Sequence, residues 1–178
     1  LFIPFVFVTL IGTVNGVNLT DGLDGLSSGV TLIVAAFFLI CAWASGSGVA
    51  PVCGAIAGGL MAFLLFNSYP AKVFMGDTGS LALGGFVASV ALVLQMPLFI
   101  LIVGFVYLWE SITVILQVGY FKVTKKMYGE GKRLFKMAPF HHHLEKCGWK
   151  ETRVVMLFYV ATAILALLGF IACRGMFI

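Results

Sequence analysis

Three polar clusters interrupt an otherwise apolar chain, and each holds residue types suited to phosphate, sugar or a hard cation. The first runs Asn15-Gly-Val-Asn18-Leu-Thr-Asp21-Gly-Leu-Asp24-Gly. Its amides and acids recur every third residue, which on a helix stacks them along one drifting face. Gly16, Gly22 and Gly25 leave room for a ligand or another backbone to approach. A pocket for sugar, base or metal-bound phosphate would use such a set. A capped helix end is the alternative, although two amides and two acids exceed what a cap requires.

The second cluster is Asn67-Ser-Tyr-Pro-Ala-Lys72-Val-Phe74-Met-Gly76-Asp77-Thr78-Gly79-Ser80, which runs straight into an apolar stretch. A Gly-flanked acid at a helix start can hold Mg²⁺, which takes carboxylate and phosphate oxygens and keeps several waters. Free helix N–H groups there also suit phosphate. The competing reading is that Asp77 or Thr78 caps the helix. The Gly-Lys-Ser/Thr ending of a nucleotidase phosphate loop is absent.

The third cluster, Met137-Ala138-Pro139-Phe-His141-His142-His143-Leu-Glu145-Lys-Cys-Gly148-Trp149, holds all three histidines of the chain. Pro139 can open a short helix and Gly148 close it. Neighbouring helical side chains point about 100° apart, so three imidazoles cannot ligate one ion. His141 and Glu145, four apart, can share a face. Imidazole titrates near neutrality, which suits phosphate binding or proton transfer. Zinc through His141 and Glu145 would have too few ligands, and a solvated polar loop is the plain alternative. Glu110 stands apart, forming a polar stripe with Thr113 and Gln117 inside an apolar run; intramembrane acids face a cavity or pair internally.

The elements that must position these groups are membrane helices. The 178 residues are 61% hydrophobic and 10% charged, with mean hydropathy +1.10, against about 25% charged in a soluble domain. Lipid requires each span to satisfy its own backbone, and barrel-type alternation is absent. An all-α, polytopic protein is expected, with six helices over 1–18, 28–45, 49–66, 79–96, 98–120 and 153–173, each later one long enough to cross. The first looks truncated. The chain begins at Leu1 inside an apolar run without an initiating Met, so a piece of a longer protein is expected. Four cysteines show no paired spacing, and neither a disulfide framework nor a zinc site is expected.

The joints 19–27, 67–78 and 121–152 fall on one side and carry Lys72 and eight further basic residues, with Arg153 at their edge, leaving only Arg174 opposite. The positive-inside rule makes that side cytoplasmic and the C-terminus external. The segment from Lys122 to Arg153 holds 12 of the 18 formal charges. Every acid except Glu110 lies on that side, so all three clusters meet at one face.

Asn18-Leu-Thr-Asp21-Gly-Leu-Asp24-Gly-Leu, Val73-Phe-Met-Gly-Asp77-Thr-Gly-Ser80 and Met137-Ala-Pro-Phe-His-His-His-Leu-Glu145 with Gly148-Trp149 occur in one order along the whole chain. Together they resemble the phospho-N-acetylmuramoyl-pentapeptide transferase branch of the polyprenyl-phosphate N-acetylhexosamine-1-phosphate transferase superfamily. The two Asp motifs are shared across that superfamily; the unbroken Ala-Pro-Phe-His-His-His-Leu-Glu run is specific to the branch.

The resemblance implies a ten-helix bacterial inner-membrane enzyme with both ends outside the cell. Residues 1–178 would be the C-terminal part of a single transferase domain. It implies Mg²⁺-dependent transfer of phospho-N-acetylmuramoyl-pentapeptide from its UDP donor to undecaprenyl phosphate, giving lipid I and UMP in cell-wall synthesis. Membrane lipids and a homodimer are implied as partners, and no nucleic acid. A hydrophobic groove between helices would hold the lipid tail. Catalytic roles would fall to Asp77 as the Mg²⁺ ligand, to His141 and to Asp24. Asn15, Asn18 and Asp21 would lie near nucleotide and phosphate. Phe74 would stack on uracil with Gly76 and Asn67 beside it, and Gln117, Ala138 and His142 would line the sugar and phosphate side.

The departures are the absent N-terminal spans, which carry the family's Asp-Asp pair and a substrate-binding Lys, and extra length in the Lys125–Lys132 region. The present chain alone is therefore expected to be inactive, and that loop to be mobile. The rival readings are a sister transferase using UDP-N-acetylglucosamine, a transporter and a non-catalytic scaffold. A transporter would place its acids near the midplane, whereas these gather at one face.

Overall fold

The computed structural model describes residues 2–176. Its helices are α1 (Phe2–Thr20), α2 (Leu26–Ala44), α3 (Ala50–Asn67), α4 (Gly76–Val93), α5 (Ile100–Val103), α6 (Phe105–Tyr128), α7 (Phe140–Lys146) and α8 (Glu151–Cys173), with single 3-10 turns at Pro97–Phe99 and Arg174–Met176. Among the described residues there is no strand. Leu1 and the last two residues lie outside the described residues.

Helix α2 is the centre of the bundle, packed against α3, α8 and α4. It is apolar nearly all round and mostly buried, as a helix without a polar face must be. Phe37 anchors it, its ring 5.2 Å from Phe38 and 4.7 Å from Phe170. Val17, Val30, Val34, Val87, Val103 and Val154 fill the space between helices. The outer faces of α1, α3 and α8 instead expose Phe2, Leu65 and Ile171, at 75%, 80% and 71%. Five described helices are long and apolar enough to cross a membrane, and six if a bent pair counts as one span.

Small residues set the closest approaches, as expected where helices associate without a hydrophobic drive between them. Gly84 of α4 lies so near α1 that a Cβ would meet Val14 Cα at 2.5 Å and Thr13 O at 3.1 Å. The ring of Tyr159 on α8 lies against Gly29 of α2, and its hydroxyl donates to the Gly25 carbonyl at 2.6 Å.

Three expectations need correction. The span expected over 98–120 is not one helix: Pro97–Val103 and Phe105–Tyr128 meet at a bend of 79°. Gly104 sits at the break, where a Cβ would meet the Ile100 carbonyl at 2.8 Å, and sharp kinks occur at such residues. The loop expected from 121 begins later, because α6 runs on to Tyr128 and ends at Gly129 with φ 79°.

The segment after α6, expected to be mobile, is tied down. Lys132 N–H donates to Thr124 Oγ1, and Leu134 and Phe135 N–H donate to Gln117 Oε1, all at 2.8 to 3.0 Å.

Candidate functional site

Helix α1 and helix α4 meet at a polar junction. Asn18, in the last turn of α1, donates through Nδ2 to Asp77 Oδ1 at 3.0 Å and to the Ser80 hydroxyl at 2.9 Å. Ser80 is fully buried and also donates to the Gly76 carbonyl at 3.1 Å. Gly76 takes φ 62°, a backbone conformation that favours glycine, and α4 begins there. Asp77 stands exposed in the first turn. Neither Asp77 nor Thr78 caps α4; the residue before the helix is Met75, and no side-chain cap is made. The Asp77 carboxylate is therefore held by its partner on α1, not spent on its own helix.

Asp21 follows directly. The sequence places Asp21 and Asp24 on a helical face with Asn18, but α1 ends at Thr20 and both acids lie in the turn before α2. Burial, and secondarily the neighbouring Asp77 charge, push the Asp21 carboxyl from the ordinary 3.8 to about 6. A raised acid pKa means the folded chain holds that proton more tightly than the unfolded one. The cost of ionising Asp21 is absent below about pH 4, grows between 4 and 6, and is full above. Asp21→Asn should therefore stabilise the metal-free complete protein above pH 6, by about 1 kcal/mol after discounting for solvent screening. A melting series should show the variant about 2–4 °C higher at pH 7, with the curves converging below pH 4. Equal melting at pH 7 would refute the strained pair.

Two close carboxylates, neither in an ion pair among the described residues, fit a hard divalent cation. Three or more gathered His, Cys, Asp or Glu side chains are not found among the described residues. Mg²⁺ does not need such a cage, because it is usually held by one or two carboxylates, waters and substrate phosphates.

The other predicted residues divide between lining and bracing. Asp24 accepts the Ala71 N–H through Oδ2 at 2.8 Å and donates its own N–H to Glu151 Oε1 at 2.7 Å, so it pins the α1–α2 turn to the α3–α4 loop and to α8. Asn67 is buried, accepts from the Ser28 hydroxyl at 2.6 Å and donates to the Val73 carbonyl at 2.9 Å. It braces the loop that presents Phe74, which is 71% exposed. Gln117 spends both ends of its amide on the backbone at Leu134 and Phe135, and that segment leads into α7. Asn15 turns its amide back to the Ile11 carbonyl at 2.8 Å and lines a lateral groove.

Helix α7 opens after Pro139 and gives way to Gly148, as the composition implies, with Ala138 half-buried just before it. His141 and Glu145, which the spacing allows to share a face, have different partners. His142 Nδ1 pairs with Glu145 Oε2 at 2.7 Å, and His141 turns inward to Glu110 Oε2 at 3.1 Å. His143 accepts the Lys136 N–H at 3.1 Å and stacks on Phe140. The Nε2 edge of His141 lies against Gly22, where any Cβ would collide with it. That contact joins the histidine helix to the Asp21 turn. Ser80 and Glu151 carry structural weight at the site without being singled out in the sequence; Glu151 opens α8, a position that also suits simple capping, and Ser80 lies one turn into α4.

Beside this junction, α1, α5 and α6 enclose a lateral groove of about 600 Å³, lined by Phe5, Gly12, Leu98, Leu101, Leu108 and Ile115 among others. It reaches Leu19, the residue next to Asn18.

The glycosyl transferase family 4 model matches residues 1–95. A phospho-N-acetylmuramoyl-pentapeptide-transferase of Clostridium novyi (strain NT) is 52% identical over 172 residues, covering 96% of this chain and 51% of the relative. The enzyme of the same name from Acetivibrio thermocellus is 52% identical over 176 residues, covering 98% and 52%. That of Clostridium botulinum (strain Eklund 17B / Type B) is 54% identical over 174 residues, covering 96% and 51%. The chain thus spans about half the length of the curated relatives it matches.

Proposed function

The chain belongs to glycosyl transferase family 4, and from that premise we propose that the complete protein transfers phospho-N-acetylmuramoyl-pentapeptide from its UDP donor to undecaprenyl phosphate. The products are lipid I and UMP. The observation that carries the reading is the α1–α4 junction, where Asn18 bridges Asp77 and Ser80 beside a strained Asp21. The half-length identity to transferases of that name supports the choice of donor.

The chemistry is phosphoryl transfer between two anions, so positioning and charge neutralisation dominate the barrier. Mg²⁺, when bound, neutralises the donor phosphates. Asp77 is the residue that holds it, with Asp21 as the second carboxylate. Asn18 and Ser80 fix the Asp77 side chain. The exposed Phe74 ring stacks on uracil, and His141 and His142 face the phosphate and sugar. Asp24, Asn67 and Gln117 keep the surrounding turns in register. The lateral groove takes the apolar acceptor tail and delivers its phosphate toward Asn18.

The excess of basic residues in the joints at this end of the bundle supports a cytoplasmic site in the inner membrane, with the C-terminus outside. Their charge draws both anionic substrates. A homodimer in a lipid bilayer is the working assembly.

The test gives the complete protein undecaprenyl phosphate, Mg²⁺ and either UDP-N-acetylmuramoyl-pentapeptide or UDP-N-acetylglucosamine. UMP release with the muramoyl donor alone is expected. Turnover of only the acetylglucosamine donor would overturn the branch, and turnover of neither would overturn the reaction.

A further inference from the structure

Glu110 and His141 are both completely shielded from solvent, and each retains one polar atom without a partner among the described residues. His141 Nδ1 lies 3.1 Å from Glu110 Oε2, while Glu110 Oε1 and His141 Nε2 touch no hydrogen-bonding group. An orphaned buried polar atom is costly, so its placement calls for an explanation. The orphan on His141 is the nitrogen that faces Gly22, between Asp21 and the start of α2. An ionised carboxylate can only accept, so the pairing requires the hydrogen on Nδ1. Glu110 itself sits on α6 just beyond the 79° bend, and the Thr113 hydroxyl donates to its carbonyl at 2.8 Å.

We propose that Glu110 is a positioning residue for the transfer reaction, holding the His141 ring with hydrogen on Nδ1 so that Nε2 is presented to the donor's phosphate beside Gly22. This rests on the reading above and deepens it. Glu110 touches no substrate and acts only through the imidazole. For a phosphate oxygen to accept a hydrogen bond at Nε2 the ring must carry a second proton there, and Glu110 on the Nδ1 side offsets the charge of the resulting imidazolium. The bend at Gly104 has a use in the same picture: it brings an acid from within an apolar run to a helix 31 residues further on.

The experiment pairs kinetics with nitrogen NMR on the complete protein labelled with ¹⁵N-histidine. The His141 signals are assigned by their loss in His141→Gln. In the wild type, Nδ1 should show a protonated, pyrrole-type signal. Glu110→Gln removes the carboxylate charge that offsets the imidazolium, and its amide N–H can turn toward Nδ1, leaving a neutral ring with its hydrogen on Nε2. That variant should lose roughly 10–100-fold in kcat, the usual cost of removing a group that orients a functional histidine, with donor KM nearly unchanged. Glu110→Asp keeps the acceptor and should recover most of the loss, and it also serves if Glu110→Gln does not fold.

Wild-type turnover in a folded Glu110→Gln would overturn the proposal. So would a loss of turnover with unchanged His141 signals, or a wild-type ring protonated only on Nε2. The NMR arm needs no turnover, so failure of the proposed reaction is separable from failure of the pair.

Discussion

Asp77→Asn in the complete protein should lower UMP release by roughly 10²–10³-fold while melting stays close to wild type, the scale seen when one preorganised electrostatic group is removed. The side chain is exposed and makes one hydrogen bond, from Asn18. Asparagine can still accept that bond through its amide oxygen, so the junction of α1 and α4 should hold. What is lost is the negative charge. If Asp77 merely capped α4, the substitution would leave both stability and turnover close to wild type, because asparagine caps as well as aspartate. Near-normal turnover in a folded variant would remove Asp77 from the metal site. A steep rise in the Mg²⁺ concentration needed for half-maximal rate, seen with residual activity, would support it.

Gly84→Leu should be the most damaging single change away from the polar site. The glycine faces the backbone of α1 at Val14, with 2.5 Å between a would-be Cβ and Val14 Cα. A flexible side chain could yield, but a backbone cannot, so α1 and α4 must separate. Overpacking of this kind costs about 1–3 kcal/mol, which corresponds to a fall of about 2–4 °C in Tm per kcal/mol. The same separation pulls Asn18 from Asp77, since the two contacts lie on the same helix pair. A misplacement of about 1 Å at a reacting site can cost 10²-fold in rate. The control is Gly85→Leu, one residue on, where a Cβ meets nothing within 4 Å. It should melt and turn over like the wild type. Equal effects from both substitutions would show that the helix contact is not what sets the site.

The sequence was most informative where chemistry and local structure coincide. The Gly-flanked Asp77 at a helix start and the short helix between Pro139 and Gly148 were both legible, because turn residues and caps announce themselves locally. The membrane helices were legible from apolar run length. The misses share one cause: a partner distant in the chain. Local spacing lets His141 share a face with Glu145, but the ring turns to Glu110, 31 residues earlier. Asn67 and Gln117 carry the right amides for ligand contacts, yet their hydrogen bonds go to backbone brought near by the fold. The bend at Gly104 escaped because an apolar run with one glycine reads like any other span. Ser80 lay within a recognised motif, but its burial against Asn18 depends on how α1 docks on α4.

The most direct test of the account is a structure of the complete protein with UMP and Mg²⁺ bound. The account predicts the ion on the Asp77 carboxylate at roughly 2.0–2.1 Å, the uracil on the Phe74 face, and the phosphate between the Asp21 turn and His141. A nucleotide seated in the lateral groove, or an ion held without Asp77, would contradict it.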